Sequence, residues 1–527
     1  MKKILVLAAC LLGTVSCEKF LEENPKSSIS MSSFFTSAAD GYAAVNILYR
    51  NGFPSYCNAT SAYVGPNIMY GGYKSGFFDN LYKGQEVFVQ YCQNLNIDAS
   101  VSNSQLQGIW EPAYKAIVRE ANFAIKYLPG CPGLSDGEQK RLIAEARFFR
   151  ALNYFYLVKM FGAVPLVSEP YESLDNLYVR RSAESKVYAF IVEDLEDALN
   201  HGGLADVPMP LNGFRISRGS VAALLADVYL NMAGYPLNDV ARYADAARVA
   251  GSLAGNPAYG LIQHADREKQ SAYSRLRTSD SEKEYLYTVE YNTSISDGGW
   301  RPTYTLPGEA STWGEFTYDI TCLVYDPVDV LHKAYDITGD LRYRDGQYFH
   351  SSYTQVKGAN AGTVRDLNGK RPFFWFEEDA LLNTRRSEKD QVHYRLAEMY
   401  LIAAEAIAQT SGVTDEAAGY LAEVEARASL NRTKEQIRAE LLRLSKDDFI
   451  REVWTEKIRE FIFENKIWND ITRTRMYPAV VGGRFTFVNL IGAQNPWGKT
   501  FTEKDLYFPI CSQAMQRNPE LAADPVQ

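Results

Sequence analysis

Apolar residues recur with a helical period over most of this chain, and the period is lost in two long polar, tyrosine-rich stretches. The densest apolar run is Arg141–Val167, RLIAEARFFRALNYFYLVKMFGAVPLV, in which Leu142, Ile143, Phe148, Phe149, Leu152, Phe155, Leu157, Val158, Met160 and Phe161 leave almost no polar face. A helix of that profile has to be covered on most sides, so the run predicts the central helix of a helical core. Ser135 caps its approach, Gly162 supplies a C-terminal stop and Pro165 forbids continuation. Arg147 and Arg150 interrupt the apolar surface three residues apart and therefore share one edge.

The same period predicts a first helix over 34–50, ended by Asn51-Gly52, and another from Gln105 to Leu128, stopped by Pro129-Gly130. Further helices follow from Ser182 to Ala198, from Ser217 to Gly234 and over 238–253. A later group starts at Val392, continues over 414–429 and 433–443, and ends with a long helix opened by Ser445-Lys446-Asp447-Asp448. Alanines stand where paired helices would cross: Ala113, Ala116, Ala144, Ala151, Ala222, Ala223 and Ala226. The expected fold is mainly α: tetratricopeptide-like helical hairpins in a right-handed superhelical scaffold, with large irregular insertions and a few short strands. The scaffold occupies 34–51, 105–253 and 391–475 of a single domain, 34–527. The insertions are 52–104 and 257–390, the second containing a strand-like run at Tyr285–Tyr291. After Pro478 the tail reads as loop, with a short closing strand or turn near Leu506–Ile510.

Composition adds a large core and an acidic surface. The chain has 527 residues, 46% of them hydrophobic, and a net charge of −9. That balance, without a basic block, argues against nucleic-acid binding. Aromatic residues are abundant, with 35 Tyr, 26 Phe and 7 Trp. Most aromatics serve packing, but Tyr and Trp also cover the apolar faces of sugars or peptides at small entropy cost.

The N-terminus carries targeting chemistry. Met1-Lys2-Lys3 is a cationic start, and Ile4–Val15 is an apolar run of signal-peptide length, too short to anchor a protein by spanning a bilayer. Thr14-Val15-Ser16-Cys17 then matches a bacterial lipoprotein cleavage site, with residues 1–16 removed, Cys17 lipidated and 17–33 a tether. Leu7-Ala8-Ala9-Cys10 fits the lipobox consensus better but leaves too short an apolar run before it. Of the remaining cysteines, Cys57, Cys92, Cys131, Cys322 and Cys511, only Cys57 with Cys92 suggests a pair, and isolated buried thiols are the competing reading.

Catalytic patterns are missing. His201, His264, His332, His350 and His393 show no metal-ligand spacing, and there is no H-E-x-x-H, G-x-S-x-G or P-loop. Neither a cofactor nor a metal is expected. Glu452, Glu456, Glu460 and Glu464 form a ladder four residues apart on one helix face. Like charges so placed repel and call for cations; Arg451, Lys457 and Arg459 supply some locally, and Arg147 and Arg150 are expected to supply more if the helices pack together. A glycosidase acid–base pair drawn from the ladder is the rarer use of such spacing.

Several segments, taken in order, resemble the SusD/RagB family of outer-membrane nutrient-binding lipoproteins. They are Cys17-x-x-Phe20-Leu21-Glu22-x-x-Pro25, residues 144–167, Arg181-Ser182 with 193–199, residues 217–230, residues 395–406 and residues 464–475. Asn465 and Ile467 depart from the family's usual Gly and Arg, and the tail lacks its usual Gln-Asn-Pro-Gly ending. The resemblance implies a lipid-anchored protein facing the cell exterior from the outer membrane. It implies a SusC-like TonB-dependent transporter as partner and a non-catalytic role: capture of an oligosaccharide, or alternatively a peptide, for delivery to that transporter. A glycoside hydrolase is the reading from another class. In the family the ligand residues sit in variable loops, here the two aromatic insertions, where Tyr73, Tyr91, Trp300, Tyr304 and Trp313 are the candidate contacts.

Overall fold

The structure, a computed structural model, describes residues 34–57, 72–81, 87–98, 103–172, 177–292, 294, 298–299, 301–316, 324–384 and 386–527. The signal segment, Cys17, the tether and Trp300 lie outside these residues.

The central helix is Asp136–Phe161. The Ser135 hydroxyl accepts a hydrogen bond from the Glu138 amide, and the Glu138 carboxylate accepts one from the Ser135 amide (2.9 Å), closing a capping box. Glu138's carboxyl is held down at about 2 by those Ser135 contacts and by the Tyr42 hydroxyl. Gly162 leaves the helix at φ +71°, a conformation open to glycine. Every residue from Phe148 to Val158 is buried, as the sequence requires.

Helical hairpins surround it. The central helix packs on Glu184–His201, Arg218–Ala233 on Arg242–Ala254, and Leu396–Ser411 on Asp415–Ala428. Arg242–Ala254 also packs on Leu396–Ser411, joining the early and late hairpins across the intervening insertion. The long helix Lys446–Phe461 closes against Leu396–Ser411, capped by Ser445, whose hydroxyl accepts from the Asp448 amide (3.1 Å). No helix among the described residues is long and apolar enough to cross a membrane. One continuous hydrophobic core runs through these elements, and a small satellite of Leu306, Ala310, Tyr353, Leu367 and Leu381 lies under the second insertion.

Three local expectations change. The segment Gln391–Arg395 is a strand paired antiparallel with Tyr285–Val289, so the helix expected from Val392 starts at Leu396. The tail after Pro478 is not loop throughout: Met476–Val481 and Arg484–Asn489 form a hairpin. Gly482 and Gly483, both at positive φ (58° and 78°), supply the two-residue turn that a hairpin needs. Gln105–Leu128 is helical from Asn103 to Tyr127 but contains a π-helical stretch, Lys115–Ala121, just after Pro112. Proline removes a backbone donor and displaces the ladder there.

The arginines of the central helix do not serve the glutamate ladder. Arg150 makes a buried bidentate pair with Asp194 (2.7 and 2.6 Å), and Arg147 pairs with Asp197 (2.6 Å). The three-residue spacing on one helix meets the same spacing on its antiparallel neighbour. The ladder finds its cations elsewhere. Arg342 binds Glu456 and Glu460 (both 2.7 Å), Arg395 binds Glu460 (2.6 Å) and Glu464 (2.8 Å), Arg427 binds Glu460 (2.5 Å), and Arg459 binds Glu452 (2.8 Å). Arg395 and Arg427 share Glu284 as well (2.9 and 2.6 Å). Cys92, Cys131 and Cys511 are free buried thiols, so Cys92 forms no disulfide.

Candidate functional site

The second insertion folds around a cleft of about 560 Å³. Its framework is the Tyr285–Val289/Gln391–Arg395 pair, extended by a bridge between Gly299 and Ser387. Asp390 accepts from the Tyr291 amide (2.9 Å), and its own amide donates to Asp280 (3.0 Å). Lys389 reaches the same Asp280 carboxylate at 2.8 Å. Arg301 donates to the Gln391 side-chain oxygen (2.6 Å), which places a guanidinium at the cleft wall.

The aromatic wall comes from Phe373-Phe374-Trp375-Phe376. Short helix Ala272–Thr278 presents Arg277, whose guanidinium lies 3.9 Å from the Phe373 ring centre and donates to the carbonyls of Phe373 (2.7 Å) and Phe376 (2.8 Å). That brace folds the segment so that Phe373 and Phe376 stack at 5.0 Å. Trp375 is half-buried, set edge-on against Tyr325 (4.9 Å) and Phe463 (5.1 Å). Two polar atoms of wall residues have no hydrogen-bond partner in the protein: the indole N–H of Trp375 and one carboxylate oxygen of Glu464. A buried donor or acceptor left unpaired costs about 1–3 kcal/mol, and both atoms belong to residues that line the cleft.

Charge in the cleft is mixed. Burial lifts the Asp390 carboxyl to about 7, against the pull of the Tyr291 amide, so near neutrality it can both donate and accept. Burial also raises Glu377 and lowers Arg277 to about 10. Among the described residues no cluster of His, Cys, Asp and Glu has the geometry to hold a metal ion.

A larger cleft, about 1160 Å³, lies between the Asn103–Tyr114 helix, the Pro165–Val179 segment and the C-terminal helix Ser512–Arg517. Trp110, Tyr114, Val167, Tyr171 and Leu177 give it an apolar lining, and the Glu111–Arg517 ion pair stands at its margin. Its polar lining includes Asn51, Gln107, Glu111, Lys115, Arg119 and Arg517, with the Gln107 side-chain nitrogen buried and without a partner in the protein; the smaller cleft differs in its dense run of rings, Phe373 to Phe376.

The four described candidate contacts lie apart from the aromatic cleft. Tyr73 is buried, with its hydroxyl donating to the Val324 carbonyl and its ring stacked on Tyr325 at 5.3 Å. Tyr304 is also buried, in the turn Arg301–Tyr304. Both are packed inside the protein, Tyr73 of the first insertion against Val324 and Tyr325 of the second. Tyr91 is half-buried against the main core on the helix Val87–Asn94. Trp313 is half-buried on the satellite core, stacked on Tyr353 (5.9 Å, 11°), with Arg365 5.5 Å from its ring. The fifth candidate, Trp300, lies outside the described residues. What sequence reasoning did not single out as site residues are Arg277, Arg301, Phe373, Trp375, Phe376 and Asp390. The run Phe373-Phe374-Trp375-Phe376-Glu377-Glu378, dense in rings and followed by acids, was the available signal.

Comparison with known proteins agrees with this architecture. A family model described as "SusD family" matches residues 341–525, and one described as "Starch-binding associating with outer membrane" matches residues 19–230. The SusD-like protein P2 of Formosa agariphila is 27% identical over 92% of this chain and 92% of its own length. A crystal structure of a SusD superfamily protein from Parabacteroides distasonis superposes with a TM-score of 0.79 at 27% identity, covering 92% of this chain and 98% of that one. Surface glycan-binding protein A from Bacteroides thetaiotaomicron, solved in complex with laminarihexaose, shares the fold at a TM-score of 0.68 and 17% identity, covering 92% of this chain and 98% of that one. With both halves of the scaffold matched and the helical hairpins in place, the chain belongs to the SusD/RagB family.

Proposed function

We propose that this protein binds a glycan without transforming it, and that the cleft between Arg301, Trp375 and Asp390 holds the sugar. The observation that carries the reading is the pairing of an aromatic wall with the unpartnered Trp375 N–H and Glu464 oxygen in one pocket. A sugar presents an apolar C–H face to a ring and hydroxyls to such donors and acceptors. The laminarihexaose complex of a relative with the same fold supports oligosaccharide as the ligand class. In this proposal the chain is a lipoprotein attached through Cys17 to the outer membrane and facing outward. It hands its ligand to a SusC-like TonB-dependent transporter. Trp313 and Trp300 are proposed as outer contacts for a longer oligosaccharide.

Isothermal titration of the mature protein against a panel of neutral oligosaccharides tests this. Trp375→Ala is expected to weaken the best ligand about tenfold or more, since a well-placed aromatic contact contributes on the order of 1–1.5 kcal/mol beyond the area it buries. Silence across the glycans with heat from a peptide mixture would replace the reading with peptide uptake. Chromatography showing shortened products would replace it with hydrolysis.

A further inference from the structure

The glutamate ladder has a cavity at each end. Glu464 lines the aromatic cleft, while Glu452 and Glu456 line a separate cavity of about 380 Å³. Its walls are the helices Asp415–Ala428, Lys434–Leu441 and Lys446–Phe461 and the segment Asp336–Arg342. Six carboxylates, those of Asp336, Asp340, Glu425, Glu440, Glu452 and Glu456, line it together with three guanidiniums, those of Arg342, Arg432 and Arg459. Those cations are already committed. Arg342 spends part of its charge on Glu460 (2.7 Å), Arg459 is divided between Glu452 (2.8 Å) and Glu456 (3.4 Å), and Arg432 bonds Glu440 (2.8 Å). Arg432 comes no closer than 3.7 Å to Glu425. Glu425 is only 6% exposed, and its Oε1 has no hydrogen-bond partner in the protein.

We propose that this cavity is a binding site for one guanidinium cation, with Glu425 as its principal carboxylate and Glu452 at the mouth. Negative charge in excess of positive, around a buried oxygen without a donor, is what a planar N–H cation satisfies. A metal ion is the poorer occupant, since no group of three His, Cys, Asp or Glu with metal-binding geometry occurs among the described residues. The guanidinium has two sources, a free guanidino compound or an arginine side chain on a docking protein. Burial first, then the Glu452 and Glu456 charges, raise the Glu425 carboxyl well above the usual range. Cation binding at Glu425 therefore expels a proton, and affinity rises with pH.

Calorimetry of the mature protein with agmatine and with N-acetyl-arginine amide, at pH 6 and pH 8, reads all of this. The expected result is tighter binding at pH 8, release of about one proton between buffers of different ionisation enthalpy, and a loss of about tenfold in affinity in Glu425→Gln. Tighter binding of agmatine assigns a free compound; equal or tighter binding of the amide assigns a protein side chain. Trp375→Ala, at the other end of the ladder, leaves this binding unchanged. No heat at about 10 mM of either compound, or wild-type affinity independent of pH, overturns the site even if Glu425→Gln fails to fold.

Discussion

Asn465, one of the two departures from the resembled pattern noted in the sequence, sits at φ +63°, in the left-handed region. Glycine enters that region freely, asparagine tolerates it, and most other residues pay about 1–2 kcal/mol. Asn465→Ala should therefore lower the unfolding free energy by roughly 1 kcal/mol, and Asn465→Gly should equal or exceed the parent. Urea midpoints at constant m-value measure both. At the same scale, Tyr73 and Trp375 show what a sequence can and cannot tell about an aromatic. Both sit in the loop-rich insertions; the ring-dense run around Trp375 is a local signal, but nothing beside Tyr73 in the sequence shows that its ring is enclosed. The difference lies in Val324 and Tyr325, more than 200 residues from Tyr73, which enclose its ring and accept its proton.

The helix Lys446–Phe461 carries the ladder into the interior, and Glu460 is its most constrained member. Burial raises its carboxyl, but Arg395, Arg427 and Arg342 outweigh burial and hold it at about 2. Breaking such a buried pair typically costs about 3–5 kcal/mol, because the partner charge is stranded; Glu460→Gln is expected to lose that amount in urea unfolding at pH 7. The sign with pH follows. The folded value lies below the ordinary 4.5, so the stabilisation is complete above pH 4.5 and is lost as pH falls toward about 2. Thermal melts from pH 7 to pH 3 should show a steep decline, softened in Glu460→Gln. The four-residue spacing of the glutamates, their shared face and their need for cations were all legible in the sequence. Arg459, on the same helix, was legible as a partner too; the partners from other elements were not, because Arg342 lies in the irregular insertion and Arg395 at a strand end. Spacing reports neighbours along one helix and is silent about what packs across it. The hairpin at Met476–Asn489 was legible and overlooked, since Gly482-Gly483 between two β-branched and aromatic runs is a strong turn signal.

Across the whole molecule, the helical scaffold follows from periodicity and capping, because each hairpin is a local event. The cleft does not, because it is assembled from 276–278, Gly299, Arg301, 373–378 and 387–392, which only the tertiary fold brings together. The same contrast of local and global applies to the central helix. A cylinder greasy on every side has no intrinsic up or down: rotated by a quarter turn, or slid by one pitch of about 5.4 Å, it would bury nearly the same area. Oil alone would leave several packings close in energy. Arg147 and Arg150, matched to Asp197 and Asp194, admit one of them. Asp194→Ala, which strands a guanidinium only 7% exposed, should cost about 3–5 kcal/mol. Asp197→Ala, at a pair with 25% and 38% of its side chains exposed, should cost under about 1 kcal/mol. Replacing Arg150 and Asp194 together by Met and Leu should recover much of the stability while broadening side-chain NMR lines and admitting dye. The sequence thus settles which arrangement is native, at its most hydrophobic point, with two salt links that act as a key in a keyway.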